Sequence, residues 1–330
     1  LQTIDTIAQL NITMAPTEKL NILITGCSPG GMGAALAIAF HNAGHHVYAT
    51  ARNPAKLSTL AEQGIQTVTL DVTSSTSIES AVSAVTASLP PTKGLDILVN
   101  NAAGNYTMPV VDATLPAARE LFDLNVWAQL AVTQAFLPLL LRSTNTSSGS
   151  PKPDSDFQPL IVNHTSVGSK AALPFQGIYN ASKAALAMLT STMRMELAPF
   201  GIRVVDLKTA GVKTNIIANS NFNSAPAGGG GGGEGERLPA GSIFAPAREV
   251  VERIMSQEGL ADRGITAEQW AGEVVGVLLG RNPPAEIWKG ESALVARMAM
   301  SIPCDLAQSV VKKMTGLGEV EEIIKKARQG

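Results

Sequence analysis

From about residue 20 onward, short apolar runs alternate with stretches in which small and apolar residues recur every three or four positions. The runs NILIT (21–25), HVYAT (46–50), QTVTL (66–70) and LDILVN (95–100) are each followed by a helical pattern, over residues 34–43, 54–63, 75–89 and a long segment reaching residue 141. Strand then helix, repeated, predicts parallel strands joined by crossover helices. Two further runs, PLIVNHT (159–165) and IRVVDLK (202–208), flank a helical stretch over about residues 179–197, and AEIWKG (285–290) reads as a late edge strand. Strands this apolar on both faces need helices on both sides. The pattern therefore predicts one α/β domain over residues 20–290, built on a doubly wound parallel sheet of about seven strands, with residues 1–19 as an N-terminal extension and 291–330 as a C-terminal helical extension.

Three segments interrupt the alternation. Residues 142–158 are polar and rich in Ser and Pro, the composition of a surface loop. Residues 215–246 contain no strand pattern and include six consecutive glycines at 228–233. Glycine loses the most backbone entropy on ordering. This region is expected to be mobile in the free protein and, because it follows the segment after the sixth strand and has no strand of its own, to be the substrate loop: either a lid that closes over bound ligand, with Ile216, Phe222 and Leu238 setting specificity, or an inert insertion at a surface loop tip. The tail GEVEEIIKKARQ (318–329) places acids before bases, as on a solvated helix.

Composition narrows the function. With 25 basic and 27 acidic residues the formal charge is -2, which lacks the positive field of a nucleic-acid binder. Cys27 and Cys304 are too few for a disulfide framework, and the four histidines show no metal-ligand spacing, so no metal is expected. No basic-then-apolar leader and no long uninterrupted apolar stretch is present, so a cytoplasmic protein without a membrane span is expected.

The first glycine cluster, TGCSPGGMG (25–33), lies between the first strand and the first helix. There, backbone N–H groups and a helix N-terminus can meet a pyrophosphate, with Gly26, Gly31 and Gly33 as the functional glycines. The spacing differs from G-x-G-x-x-G and indicates another class of dinucleotide turn. An NAD site places an acid near the end of the second strand, yet no Asp or Glu occurs between Glu18 and Glu62, and Arg52 stands at that strand end. A guanidinium clamps a 2'-phosphate that a carboxylate repels, so NADP(H) is the expected cofactor. Further on, Tyr179 and Lys183 in YNASK share one helical face. A cation beside the phenol is expected to favour the phenolate, which fits Tyr179 for acid–base work. Ser166 ends the preceding strand, where it can hydrogen-bond a substrate carbonyl.

With these motifs in this order over roughly residues 20–215, the chain resembles the short-chain dehydrogenase/reductase family and its Rossmann-type fold. The resemblance implies a tetrad of Asn125, Ser166, Tyr179 and Lys183. It also implies cofactor contacts from Gly26, Ser28, Gly31, Met32 and Gly33 in the turn, Arg52, Asp71 and Val72 after the second and third strands, and Asn101 and Ala102 after the fourth. Val212 and Thr214 complete the set, beside Tyr179 and Lys183. The expected chemistry is reduction of a small-molecule carbonyl: Ser166 and Tyr179 hold the oxygen, Tyr179 gives the proton, Lys183 lowers the phenol pKa and holds the nicotinamide ribose, and Asn125 positions a water. Three departures stand out: one extra residue in the glycine turn, Ala103 before Gly104 where one glycine is usual, and Thr209-Ala210 in place of Pro-Gly.

The motifs are similar to a fungal branch that contains NADPH-dependent 1-acyldihydroxyacetone-phosphate reductases. That implies an acyl dihydroxyacetone phosphate-like lipid, for whose phosphate Lys170, Lys208, Lys213 and Arg237 are candidate partners, and peripheral association with endoplasmic reticulum or lipid droplets. The alternatives are a ketoreductase of a fungal secondary-metabolite pathway acting on a polyketide or steroid-like ketone, and a non-catalytic NADP(H)-binding regulator. A regulator typically loses the tyrosine or lysine, and here both are present. The resemblance also implies a homodimer or homotetramer through the long helices around Asn125 and Tyr179.

Overall fold

The computed structural model describes residues 18–144, 157–217, 219, 237–257, 259, 263–299 and 304–329. Residues 1–17 of the expected N-terminal extension, most of the 142–158 loop, Phe222 and the six glycines lie outside the described residues.

In chain order the first half contains β1 (Asn21–Ile24), α1 (Met32–Asn42), β2 (His46–Ala51), α2 (Ser58–Glu62), β3 (Gln66–Thr69), α3 (Ser75–Ser88), β4 (Ile97–Asn100), α4 (Leu115–Phe122) and α5 (Ala128–Thr144). The second half contains β5 (Leu160–His164), α6 (Gly177–Leu197), β6 (Arg203–Thr209), β7 (Val212–Lys213), α7 (Arg248–Ser256), β8 (Ile265–Thr266), α8 (Ala267–Leu278), β9 (Glu286–Lys289), α9 (Ala293–Ala299), α10 (Cys304–Thr315) and α11 (Leu317–Ala327). Seven strands form one sheet in the order β3-β2-β1-β4-β5-β6-β9, and every neighbouring pair is parallel. This is the doubly wound α/β fold that the alternation predicts, with AEIWKG as the edge strand β9. The chain runs outward from β1 to β3 and then crosses back to β4, so the direction of winding reverses between β1 and β4. Ligands of such sheets bind beyond the carboxyl ends of the strands at that reversal.

Both faces of the sheet are covered. Ile22, Ile24, Val99 and Val162 pack with α1 and α8, including Phe40 and Trp270. Leu23, Leu98 and Ile161 pack on the other side with α3 and α5, including Val85, Val132 and Phe136. The helical stretch 115–144 is long and apolar enough to match a membrane-crossing helix, but half of its most apolar window is buried, with Val132, Phe136, Leu139 and Leu140 in this second core. A buried polar ladder fixes the two long helices to the strands. Asn100 of β4 donates to Thr133 of α5 (2.8 Å) and to Asn163 of β5 (2.9 Å), and Asn163 donates to Thr190 of α6 (2.9 Å). Removing one member would leave buried polar partners unpaired.

A third, smaller core joins Phe175, Val250, Val251 and Met255 to Val320 of α11. The tail is therefore not a wholly solvated helix: Glu322 and Lys325 pair at its exposed face (3.2 Å), while Val320 is buried and Glu319 pairs with Arg253 of α7 (2.8 Å). Leu238 also belongs to this core and is fully buried, so it packs as structure rather than facing a ligand.

Candidate active site

The glycine turn explains its own extra residue. Gly31 N–H donates to Ser28 O (3.1 Å) across Pro29 and Gly30, and Gly30 takes φ +69°. Pro followed by a positive-φ glycine is the signature of a type II turn, so Gly30, which the motif reading passes over, absorbs the insertion. Close approach sets the second requirement. A Cβ on Gly33 would lie 2.5 Å from both Gly26 O and Asn101 Nδ2. Helix α1 starts at this point with Gly31 as N-cap and no side-chain cap, which leaves first-turn N–H groups directed at the cleft.

A cavity of about 710 Å³ runs along the carboxyl ends of the strands. Of the anticipated residues, Gly26, Ser28, Gly31, Met32, Arg52 and Val72 line it, as do Asn101, Ala102, Tyr179, Lys183 and Thr214. The remaining five are not in its lining. Gly33 is packed behind the turn, and Val212 pairs with Ile265 in the small β7–β8 sheet. Asp71 accepts from Thr73 N–H (3.0 Å) and Thr73 Oγ1 (2.7 Å). Burial pushes its carboxyl upward, but these bonds and the nearby Arg52 charge outweigh that and hold it below the usual range.

Asn125 sits in a π-helical segment, Asp123–Trp127, between α4 and α5, a distortion often found at functional positions. Its side chain is fully buried: Oδ1 accepts from Gly104 N–H (2.9 Å), and Nδ2 donates to Gly104 O (3.1 Å) and to Ser182 Oγ (3.0 Å). It thus ties the loop after β4 to α6, the helix that carries Tyr179 and Lys183. Ser166 caps the short 3-10 turn Val167–Ser169 by accepting from Gly168 N–H (3.0 Å), and its side chain is hydrogen-bonded to Tyr179.

The electrostatics differ from the simple lysine–phenol reading. Burial raises the Tyr179 phenol above its ordinary value, opposed only by the Ser166 hydrogen bond. Lys183 Nζ is 5.9 Å from the Tyr179 ring centroid and donates to His164 O (2.9 Å), so a neutral carbonyl rather than the phenol oxygen is its hydrogen-bond partner. Burial lowers Lys183 to about 8, partly offset by the Asp206 carboxylate. A lysine whose folded value lies below its unfolded 10.5 costs stability below about pH 8, and the cost is relieved as pH rises toward 10.5, where the unfolded chain holds the extra proton. Wild type should therefore gain stability relative to Lys183→Met between neutral pH and about pH 10, as read by urea unfolding of the cofactor-free protein. A constant difference across that window would show that Lys183 is not desolvated.

Other cavity residues escaped the sequence reading. Lys56 lines the cavity beside Arg52, presented by a 3-10 turn over Pro54–Leu57 whose N-cap Asn53 accepts from Ala55 N–H (3.0 Å). The signal was present in ARNPAKL, where a second cation follows Arg52 by four residues. Asn215 donates to Pro29 O (3.2 Å) and bridges the segment after β6 to the glycine turn. Thr165 lines the cavity and donates to Asp206, which in turn pairs with the fully buried Lys208.

Comparison with known proteins agrees with this arrangement. The family model for short chain dehydrogenases matches residues 20–224. The chain belongs to the short-chain dehydrogenase family. A short-chain dehydrogenase/reductase of Pestalotiopsis microspora is 44% identical over 311 residues, 94% of this chain and 99% of that one. The NADPH-dependent 1-acyldihydroxyacetone phosphate reductase of Schizosaccharomyces pombe is 32% identical over 307 residues, covering 90% and 94% of the two chains. Among solved structures, a short-chain dehydrogenase from Streptomyces avermitilis superposes with a TM-score of 0.65 at 25% identity, covering 92% of this chain and 98% of that one. As a short-chain dehydrogenase, this protein is an oxidoreductase, and its tyrosine–lysine helix, glycine turn and parallel sheet are the parts that the sequence reading anticipated.

Proposed function

We propose that this short-chain dehydrogenase reduces a ketone to a secondary alcohol with NADPH, and that the cavity holds both reactants. The observation that carries the proposal is the convergence of Tyr179 and Lys183 on one cavity whose wall also presents Arg52 and Lys56. The cleft fits the cofactor: a side chain on Gly33 would collide with the turn, and uncapped N–H groups of α1 suit a pyrophosphate. Arg52 and Lys56 suit a 2'-phosphate, and no carboxylate lines the cavity among the described residues. The NADPH dependence in the name of the Schizosaccharomyces relative supports the same choice. When bound, NADPH supplies the hydride.

The chain's residues do the rest. Tyr179, held protonated by burial, hydrogen-bonds the carbonyl together with Ser166 and gives its proton to the forming alkoxide. Lys183, fixed on His164 O, holds the ribose and lies on the path by which that proton is replaced. Asn125 keeps the Gly104 loop and the Tyr179 helix in register through its three side-chain hydrogen bonds.

On the substrate, the lining of the cavity by described residues supports an uncharged ketone over a phosphorylated lipid. Ala103, Leu124 and Ile216 line it, whereas Lys170, Lys208, Lys213 and Arg237 do not. Lys208 is buried against Asp206, and Lys170 and Lys213 are exposed elsewhere. A panel of ketones including acyl dihydroxyacetone phosphate, steroids and aromatic polyketides, scored by NADPH consumption, tests this reading. Turnover confined to the phosphorylated lipid would overturn it. We also propose self-association through α4–α5 and α6, where Leu115, Trp127, Met188 and Met195 are all more than half exposed. Sedimentation should show a dimer or tetramer that Trp127→Asp with Met188→Asp dissociates, and a wild-type monomer would refute it.

A further inference from the structure

The imidazole of His164, the last residue of β5, has no place in the chemistry above, which uses only the main-chain carbonyl of this residue, yet the ring is buried and bonds two parts of the cleft. Its Nδ1 lies 2.9 Å from Asn101 Oδ1 and its Nε2 2.6 Å from Thr209 Oγ1. Its carbonyl accepts from Lys183 Nζ, and its ring stacks on Trp270 of α8 with centroids 5.2 Å apart and planes inclined by 18°.

The neighbours fix the tautomer. Asn101 Nδ2 donates to Thr25 O (2.8 Å) and Gly26 O (3.1 Å), both carbonyl acceptors, so the other end of that amide is its oxygen. The imidazole must therefore donate from Nδ1. A ring protonated there and neutral overall accepts at Nε2, and the Thr209 hydroxyl donates to it. A second ring proton would place a cation in the core close to the Lys183 ammonium, and the ring is accordingly held down to about 3 by burial and then by Lys183.

This network joins distant pieces of chain. Asn101 bonds the carbonyls at the glycine turn and sits against Gly33, whereas Thr209 ends β6 and leads into the segment that brings Thr214 to the cavity. We propose that His164 is a positioning residue for the cofactor: as an Nδ1–H imidazole it sets the spacing between the glycine turn, through Asn101, and the segment after β6, through Thr209. The inference rests on the reading of this cleft as the NADPH site. It concerns alignment of the two cofactor-binding walls, and the proton path does not include the ring.

Two measurements test it. In cofactor-free protein with ¹⁵N-labelled histidines, the His164 ring, assigned by its loss in His164→Asn, should give the signature of a neutral Nδ1–H tautomer that does not titrate across the neutral range. A neutral Nε2–H ring or a titrating one would overturn the proposal. Separately, NADPH titrations followed by fluorescence should show about tenfold weaker binding for His164→Leu, the scale of two lost hydrogen bonds. At saturating NADPH the ketone KM should stay within about twofold. His164→Asn, which retains a donor toward Asn101, should recover part of the affinity. Thr209→Val should weaken binding in the wild-type background and have little further effect in His164→Leu, the mark of coupled neighbours. Unchanged NADPH affinity in His164→Leu, or strictly additive losses, would overturn the role. Should His164→Leu fail to fold, the tautomer and Thr209→Val decide. Wild type that shows the predicted tautomer but does not bind NADPH would refute the function proposed for the cleft and leave the network as a purely structural lock.

Discussion

Replacing Tyr179 by phenylalanine is expected to lower ketone turnover by about 10²- to 10⁴-fold, the usual worth of a positioned general acid. The substitution keeps the ring, and with it the packing at the head of α6, and removes only the hydroxyl that bonds Ser166. NADPH affinity should stay within about threefold, because the arginine, the glycine turn and Lys183 are untouched. Lys183 does not depend on the phenol for its position, since His164 O holds it at 2.9 Å. The loss should therefore appear in kcat at saturating cofactor. A Tyr179→Phe enzyme that turns over near the wild-type rate would mean that the proton comes from another group, and Ser166 would then be the first to examine.

The second large effect concerns cofactor choice. Arg52 and Lys56 are both exposed at the cavity edge, one at the end of β2 and the other on the turn that follows. Each charge-assisted contact is worth about 1.5 to 3 kcal/mol, and solvent exposure argues for the lower end. Removing both in Arg52→Ala/Lys56→Ala should weaken NADPH binding by about a hundredfold, since 1.4 kcal/mol is a factor of ten. NADH, which lacks the 2'-phosphate, should be affected by less than about threefold. Calorimetric titration of both nucleotides checks this, and an equal loss for the two would show that these cations do not read the phosphate.

How far the sequence foretells this molecule depends on the range over which each feature is determined. The inner strands were legible because parallel strands buried on both faces have to be largely apolar, as Asn21–Ile24 and Ile97–Asn100 are, whereas the partly exposed edge strands Gln66–Thr69 and Glu286–Lys289 were placed by the alternation with helices. The tyrosine–lysine pair was legible because one helix turn sets it. Solvation was not: sequence spacing gives proximity along a helix, whereas the direction of the Tyr179 shift follows from burial by surrounding chain. Gly30 was missed for a related reason. Gly31 and Gly33 satisfy the spacing by themselves, and only the backbone shows which glycine takes the positive φ. His164 reads as one more residue of an apolar strand, since its partners Asn101, Thr209 and Trp270 lie 45 to 106 residues away in the chain. Leu238 was assigned to ligand because it flanks the glycine run, but packing with Val250 and Val251 claims it.

The central claim is that this cleft moves a hydride from NADPH to a ketone carbon and a proton from Tyr179 to its oxygen. Incubating wild type and Tyr179→Phe with NADPH deuterated at the transferable C4 position, across the ketone panel, and weighing the alcohols by mass spectrometry tests it most directly. Wild type should yield an alcohol carrying one deuterium at the carbinol carbon, matched mole for mole by oxidised cofactor, with Tyr179→Phe yielding about a hundredth or less. Tight NADPH binding without deuterium transfer to any ketone would contradict the account and mark the protein as a binder of the nucleotide rather than a reductase.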